Sequence, residues 1–341
     1  MKKYRKRTVV ILSIDGGGIR GYIPALVLAE VERRLKKLGR EKPLGRLFDF
    51  IAGTSTGSII TLGLTAPKQL DDGSFSDREA AFTTESLVSM YEEHGLEIFP
   101  RHIFHQLQEM RHAFTKKYND GPFHELLDRY YGTRTIRDAL TKVLVTAYDI
   151  EEHEPLIIKK TLPRSNKKAP PNFYMADAIK ASAAAPTYFE PVKITSVDGA
   201  REHSLTDGGV FASNPAMCAY VEAQRFFPRA RKFVVFSLGT GSFTPNWKYE
   251  QVKHWGVLEW IQPSKGVPAA VVLSAGQEQS VNYQLAHLPK VEYHRLNIPL
   301  GNCSENMDDA APENMECLHE RAQELIRRHE DSIRRMVEVL K

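Results

Sequence analysis

A run of apolar residues from Thr8 to Ile14 stops at Asp15 and three consecutive glycines, and a helical pattern begins just beyond. Nothing else in the chain constrains its fold as strongly. A continuous apolar run suits a strand covered on both faces, as in a parallel sheet. The glycines let the backbone turn at the strand's end. Val27, Leu28, Val31, Leu35 and Leu38 then recur at helical spacing, with Pro24 in the opening turn. The alternation repeats. Phe48 to Gly53, Lys142 to Asp149 and Phe233 to Leu238 read as strands. Ser58 to Leu64, Met175 to Ala184, Pro215 to Arg225 and Ala269 to Leu285 read as helices. This predicts an α/β layered fold. From about Pro312 the chain reads as one long amphipathic helix, with Leu318, Ala322, Leu325, Ile326, Ile333, Val337 and Leu340 on one face. Asp71 to Ser74 and Lys167 to Pro171 read as surface loops too short for linkers, and no repeat is visible, so the 341 residues read as one domain.

The charge balance narrows the function. Lysine and arginine number 46 against 42 acidic residues, a net charge of +4. So small an excess argues against an electrostatic DNA or RNA binder. The basic tip Lys2 to Arg7 precedes an apolar stretch too short for a signal core, and no stretch approaches the length of a spanning helix. Cys218, Cys303 and Cys317 are odd in number and form neither a disulfide framework nor a zinc pattern. They read as reduced thiols in a cytoplasmic protein.

Three motifs carry chemistry. The first is Asp15-Gly16-Gly17-Gly18-Ile19-Arg20-Gly21, between a strand and a helix. Its backbone N–H groups suit either of two tasks. Gly16, Gly18 and Gly21 match the spacing of a dinucleotide loop. The same amides could stabilise the oxyanion of a tetrahedral intermediate. The second motif, Gly53-Thr54-Ser55-Thr56-Gly57, has the G-x-S-x-G spacing of a nucleophile elbow, and its strand–turn–helix setting is the one that chemistry requires. The third, Asp207-Gly208-Gly209, is in isolation only a turn.

In this order the three motifs resemble the patatin-like phospholipase family. Ala178 to Pro191 (AIKASAAAPTYFEP), Phe236 to Gly241 (FSLGTG) and Met307 to Asn314 (MDDAAPEN) are also similar to family segments, so the resemblance spans about residues 8 to 330. It implies a three-layer α/β/α fold around a mostly parallel sheet, with core motifs in 8–215 and residues 216–341 completing a single domain. It implies a Ser–Asp dyad in which Ser55 attacks an acyl ester and Asp207 takes its proton. Gly17 and Gly18 would supply oxyanion-hole amides, with Gly16 and Arg20 shaping that loop. Gly53 and Gly57 would flank the nucleophile, and Gly208 and Gly209 would follow the base. The chemistry would need no cofactor or metal. Membrane phospholipid would be the substrate, met by peripheral association at the inner membrane surface. A narrower resemblance, to phospholipase effectors of bacterial anti-phage (CBASS) systems, implies activation by a cyclic dinucleotide. Two rivals stand beside this reading: a constitutive lysophospholipid or neutral-lipid acyl hydrolase, and a non-catalytic nucleotide-binding module. The oligomeric state is open, a homodimer included.

Several residues have competing assignments. His203, His254 and His287 are candidate bases for a triad, although none stands in a catalytic motif; His94, His102 and His105 make no recognised metal set. Ile98 to Tyr118, with apolar residues among basic ones, suits an interfacial helix, a lid or a helix packed on the core. Phe243 to Ile261 holds all three tryptophans and suits a lipid contact or a buried cluster. Lys159, Lys160, Arg164, Lys167 and Lys168 read as a solvated loop or an anion contact.

Overall fold

The computed structural model describes residues 8–98, 120–160, 170–243, 247–262 and 267–341. The strands are β1 (Thr8–Ile14), β2 (Phe50–Thr54), β3 (Pro67–Gln69), β4 (Phe75–Ala80), β5 (Lys142–Asp149), β6 (Glu154–Lys159), β7 (Val192–Thr195), β8 (Glu202–Asp207), β9 (Lys232–Leu238) and β10 (Val291–Leu296). The helices are α1 (Tyr22–Lys37), α2 (Thr56–Thr65), α3 (Thr84–Ile98), α4 (Gly121–Tyr131), α5 (Met175–Ala183), α6 (Gly209–Ala212), α7 (Ala216–Phe226), α8 (Tyr249–Val252), α9 (Val257–Ile261), α10 (Pro268–His287), α11 (Pro312–Arg328) and α12 (Glu330–Leu340).

Eight strands form one sheet in the order β10-β9-β1-β2-β5-β8-β7, with β6 also paired to β5. The run from β10 to β5 is parallel. β6, β7 and β8 pair antiparallel. Side chains alternate between two cores, which makes the third layer. Val10, Leu12 and Ile14 of β1 pack with α1, α2, α5 and the C-terminal helices. Val9 and Ile11 pack with Ala216, Ala219 and Ala223 of α7 and Leu285 of α10. Each fully buried aliphatic side chain contributes on the order of 1.5–3 kcal/mol.

The pairing of β5 positions the site. β2 pairs with residues 142–146 and β8 with residues 147–149, while β6 occupies residues 144–149. A strand has two edges, so β2 and β8 share the edge that β6 leaves. They arrive from opposite directions. Thr54, the last residue of β2, lies opposite Thr146, and Asp207, the last of β8, lies opposite Ala147. Ser55 and Asp207, distant in sequence, therefore meet at one point.

Two expectations need correction. The C-terminal helix is not continuous. At His329 (φ −107°, ψ 27°) the backbone leaves helical geometry and α12 sets off anew. The His329 ring meets the Asn297 carbonyl at 3.2 Å, so a tertiary contact holds a break that no proline or glycine announces. Nor are all three cysteines thiols: Cys303 and Cys317 form a disulfide, with Cα atoms 5.5 Å apart, and only Cys218 is free. The segment after β10 folds back onto α11 and brings the two sulfurs together. The cytoplasmic expectation loses the support it drew from reduced thiols. The separation is 14 residues. Closing a loop of this size stabilises by about 3 kcal/mol. Reduction, or Cys317→Ser, is expected to lower the urea midpoint accordingly; an unchanged midpoint would mean the bond contributes nothing.

Candidate active site

Ser55 stands between β2 and α2 with φ 54° and ψ −123°. Residues with side chains rarely adopt a positive φ, at a cost of order 1–3 kcal/mol. The surroundings enforce it. A Cβ on Gly57 would lie 2.2 Å from the Ile14 carbonyl oxygen, and one on Gly53 2.1 Å from the Gly57 carbonyl oxygen. The Ser55 N–H donates to Ser182 Oγ at 2.8 Å. Its carbonyl accepts from Ser58 N–H at 2.8 Å and from the Ser58 hydroxyl at 2.5 Å. Ser55 remains partly exposed while its neighbours are buried. It also stands at the N-terminus of α2, where the helix dipole favours developing negative charge.

Asp207 is 5% exposed, and the Ser55 side chain lies near enough to act on its carboxyl. The Gly209 N–H donates to its Oδ1 at 2.6 Å. Burial pushes its carboxyl up to about 6, against the lowering pull of the Gly209 amide and the Ser55 hydroxyl. Gly208 is obligatory by space, since a Cβ there would lie 2.2 Å from Thr146 Oγ1. The backbone of Asp207 is held as well, its N–H donating to the Ala184 carbonyl at 3.0 Å. Ser182 and Ala184 thus tie Ser55 and Asp207 to one alanine-rich segment. The segment stands out in the sequence, but no local pattern marks Ser182, whose contact with Ser55 spans 127 residues.

The glycine loop lies beside the serine. A Cβ on Gly16 would approach Ser55 Cβ to 3.2 Å. The Gly16 N–H is committed to the Ser213 carbonyl at 3.0 Å, and Thr240 Oγ1 donates to the Gly16 carbonyl at 2.7 Å. Gly17 and Gly18 donate to no acceptor among the described residues. Thr240 and Met307 overlie them: an added Cβ would fall 2.3 Å from Thr240 Oγ1 at Gly17 and 2.0 Å from the Met307 carbonyl oxygen at Gly18. Arg20 Nε donates to the Gly17 carbonyl at 3.2 Å, and burial lowers the guanidinium from its ordinary value.

No histidine hydrogen-bonds Ser55 or Asp207 among the described residues. His203 Nδ1 pairs with Asp149 Oδ2 at 2.8 Å, four residues back along β8 from Asp207. His287 Nδ1 contacts the Tyr283 carbonyl at 2.7 Å. Lys159 pairs with Glu222 at 2.7 Å and Lys160 donates to the Ala139 carbonyl, while Arg164, Lys167 and Lys168 lie outside the described residues, as does nearly all of the Ile98 to Tyr118 segment. Trp247, Trp255 and Trp260 form a half-buried edge-to-face cluster, with centroids 5.2 to 6.5 Å apart. Beside it Val257 and Leu258 are 75% and 76% exposed. No described helix is long and apolar enough to cross a membrane.

Known proteins share these features. The family model for patatin-like phospholipases matches residues 12–220. Patatin-like protein 3 of Arabidopsis thaliana is 33% identical over 81% of this chain and 69% of its own length. Patatin-like protein 2 of the same plant is 31% identical over 94% and 83%. A Solanum tuberosum protein named Probable inactive patatin-3-Kuras 1 is 31% identical over 75% of this chain and 69% of its own length. Among solved structures, VipD from Legionella pneumophila aligns with 95% of this chain and 67% of its own at 13% identity, with a TM-score of 0.35, a likeness too loose to argue from.

Proposed function

The chain belongs to the patatin-like phospholipase family, a family of lipid acyl hydrolases, and on that premise we propose that it cleaves acyl esters of membrane phospholipids with a Ser55–Asp207 dyad. One observation carries the reading: a buried Asp207 is brought beside Ser55 at the strained elbow, because β2 and β8 end at adjoining positions on β5. Ser55 Oγ attacks the ester carbonyl while Asp207 accepts its proton. The Gly17 and Gly18 amides receive the oxyanion. The intermediate collapses, the lyso product leaves with the proton, and an acyl-serine remains. Asp207 then takes a proton from water, which attacks the acyl carbonyl; this second intermediate collapses, the Ser55 Oγ–acyl bond breaks, Asp207 returns the proton to Oγ and the fatty acid leaves. A carboxylate with an ordinary pKa near 4 is a weak base for a hydroxyl, and burial strengthens it.

A fluorophosphonate ester tests this reading directly. Its phosphonyl oxygen imitates the oxyanion, and peptide mapping should find the adduct on Ser55. An adduct on another serine would overturn the assignment.

The pH dependence follows from Asp207. It acts as a base only when ionised, and its carboxyl stands at about 6. kcat/KM should plateau above pH 7 and fall about tenfold for each unit below 6. A rate that stays flat from pH 7 down to 5 would remove Asp207 from the role.

Within this reading the enzyme associates peripherally with a membrane, and a cyclic dinucleotide releases its activity. The support is the resemblance described above, together with the need to restrain a phospholipase near its host's membranes. Phospholipid hydrolysis across a panel of cyclic di- and trinucleotides should rise for one member. Full activity without any nucleotide, unmoved by every member, would leave a constitutive acyl hydrolase. A non-catalytic nucleotide module is disfavoured, because it would leave the strained Ser55 elbow and the buried Asp207 without a task.

A further inference from the structure

Adjacent residues of α10 reach the two halves of the site. Gln277 Nε2 donates to the Val210 carbonyl at 2.9 Å, just past Asp207. Its neighbour Glu278 accepts from Arg295 Nη2 at 2.7 Å and from Asn297 Nδ2 at 3.3 Å. The same Arg295 nitrogen donates to Asp15 Oδ2 at 2.5 Å, and Nη1 donates to Ser237 Oγ at 2.9 Å. Asp15 is the residue immediately before the glycine loop, and its N–H is bound to the Leu238 carbonyl at 3.0 Å. The side chains of Asp15 and Arg295 are 7% and 14% exposed.

The dyad chemistry uses none of these charges. Two carboxylates around one guanidinium are expensive to bury, and apolar residues of similar volume are often as stable or more so. What the triad provides is a fixed direction. One helix grips the turn after the base through Gln277 and the root of the oxyanion loop through Glu278 and Arg295. We propose that Arg295 and Glu278 are positioning residues, which hold Asp15 so that the Gly17 and Gly18 N–H groups point to where the oxyanion forms. The inference rests on the Ser55–Asp207 reading.

The groups facing Asp15 are Arg295, Glu278 and Tyr293. Burial already pushes the Asp15 carboxyl up to about 7 against the pull of Arg295. Without the guanidinium's pull the Asp15 carboxyl goes higher still and stays protonated across this range. The parent pair is ionic above about pH 7 and loses the Asp15 charge below it, so the cost of removing Arg295 should grow with pH.

The test is hydrolysis of a water-soluble p-nitrophenyl ester between pH 6 and 8.5. Arg295→Met should lose about tenfold in kcat at pH 6 and about a hundredfold at pH 8, with KM within about threefold, because only transition-state contacts are lost. Asp15→Asn breaks the same pair, so the double variant should lose no more than about threefold beyond Arg295→Met alone at pH 8. A loss equal at every pH, or losses of the two single variants that multiply in the double variant, overturns the proposal, as does Arg295→Met with kcat near that of the parent. If Arg295→Met does not fold, Glu278→Ala serves, with about a tenfold loss in kcat at unchanged KM expected; kcat within twofold of the parent overturns the proposal. The parent protein treated with fluorophosphonate separates the two readings. No adduct on Ser55 defeats the dyad itself, whereas a labelled parent with fully active variants defeats only the positioning role.

Discussion

Ser55→Ala is expected to bring ester hydrolysis down to background, a loss of about 10⁴-fold or more in kcat. Removing the hydroxyl takes away the group proposed to form the acyl-enzyme; the proposed oxyanion amides alone would accelerate attack by water far less. The substitution should not disturb the fold. Ser55 is held through its backbone, by Ser182 on its N–H and Ser58 on its carbonyl, and both contacts survive loss of Oγ. Circular dichroism and the melting temperature provide the control. Substantial turnover from a folded Ser55→Ala protein would remove the serine mechanism.

Asp207→Asn should remove a comparable share of the rate and yet make the protein more stable. The sign follows from linkage. Burial raises the Asp207 carboxyl from 3.8 to about 6, so the folded state holds this proton more tightly than the unfolded state. The associated stability is fully present below pH 3.8 and is lost as pH rises through 6. At pH 8 the ionised carboxylate thus destabilises the fold, by something on the order of 1–3 kcal/mol. Asparagine carries no charge at any pH and keeps an oxygen for the Gly209 N–H. In urea at pH 8 its midpoint should exceed that of the parent, and the gap should close towards pH 4. A less stable variant at pH 8 would contradict this account of the base.

The parts of this molecule written in local signals were legible. The apolar run of β1, the glycines after it and the elbow around Ser55 each announce themselves within about ten residues. β5 lies where its sequence puts it, at Lys142–Asp149. β8 was invisible for a physical reason. Glu202-His203-Ser204-Leu205-Thr206-Asp207 has one aliphatic residue, and its buried polar groups are satisfied by tertiary hydrogen bonds, such as Thr206 to the Ala184 carbonyl. No hydrophobic period marks such a strand. Asp-Gly-Gly could be recognised as a motif, but the edge of β5 that delivers it to Ser55 could not. The Asp15–Arg295–Glu278 triad and the Cys303–Cys317 bond join segments distant in the chain or folded back on themselves, so neither leaves a local pattern.

Because β2 and β8 abut on a single edge of β5, that strand works as a measuring rod for the reaction. Its rise of about 3.3 Å per residue sets how far the base stands from the nucleophile, and a slip of one residue would turn Asp207 to the opposite face. Insertions and deletions should divide sharply by address. One residue added at the centre of β5 would disconnect the dyad, whereas whole segments added to the loops between strands would leave the spacing untouched. A lineage built on this plan could lengthen its loops, exchange its lipid specificity or acquire new controls without redesigning its chemistry.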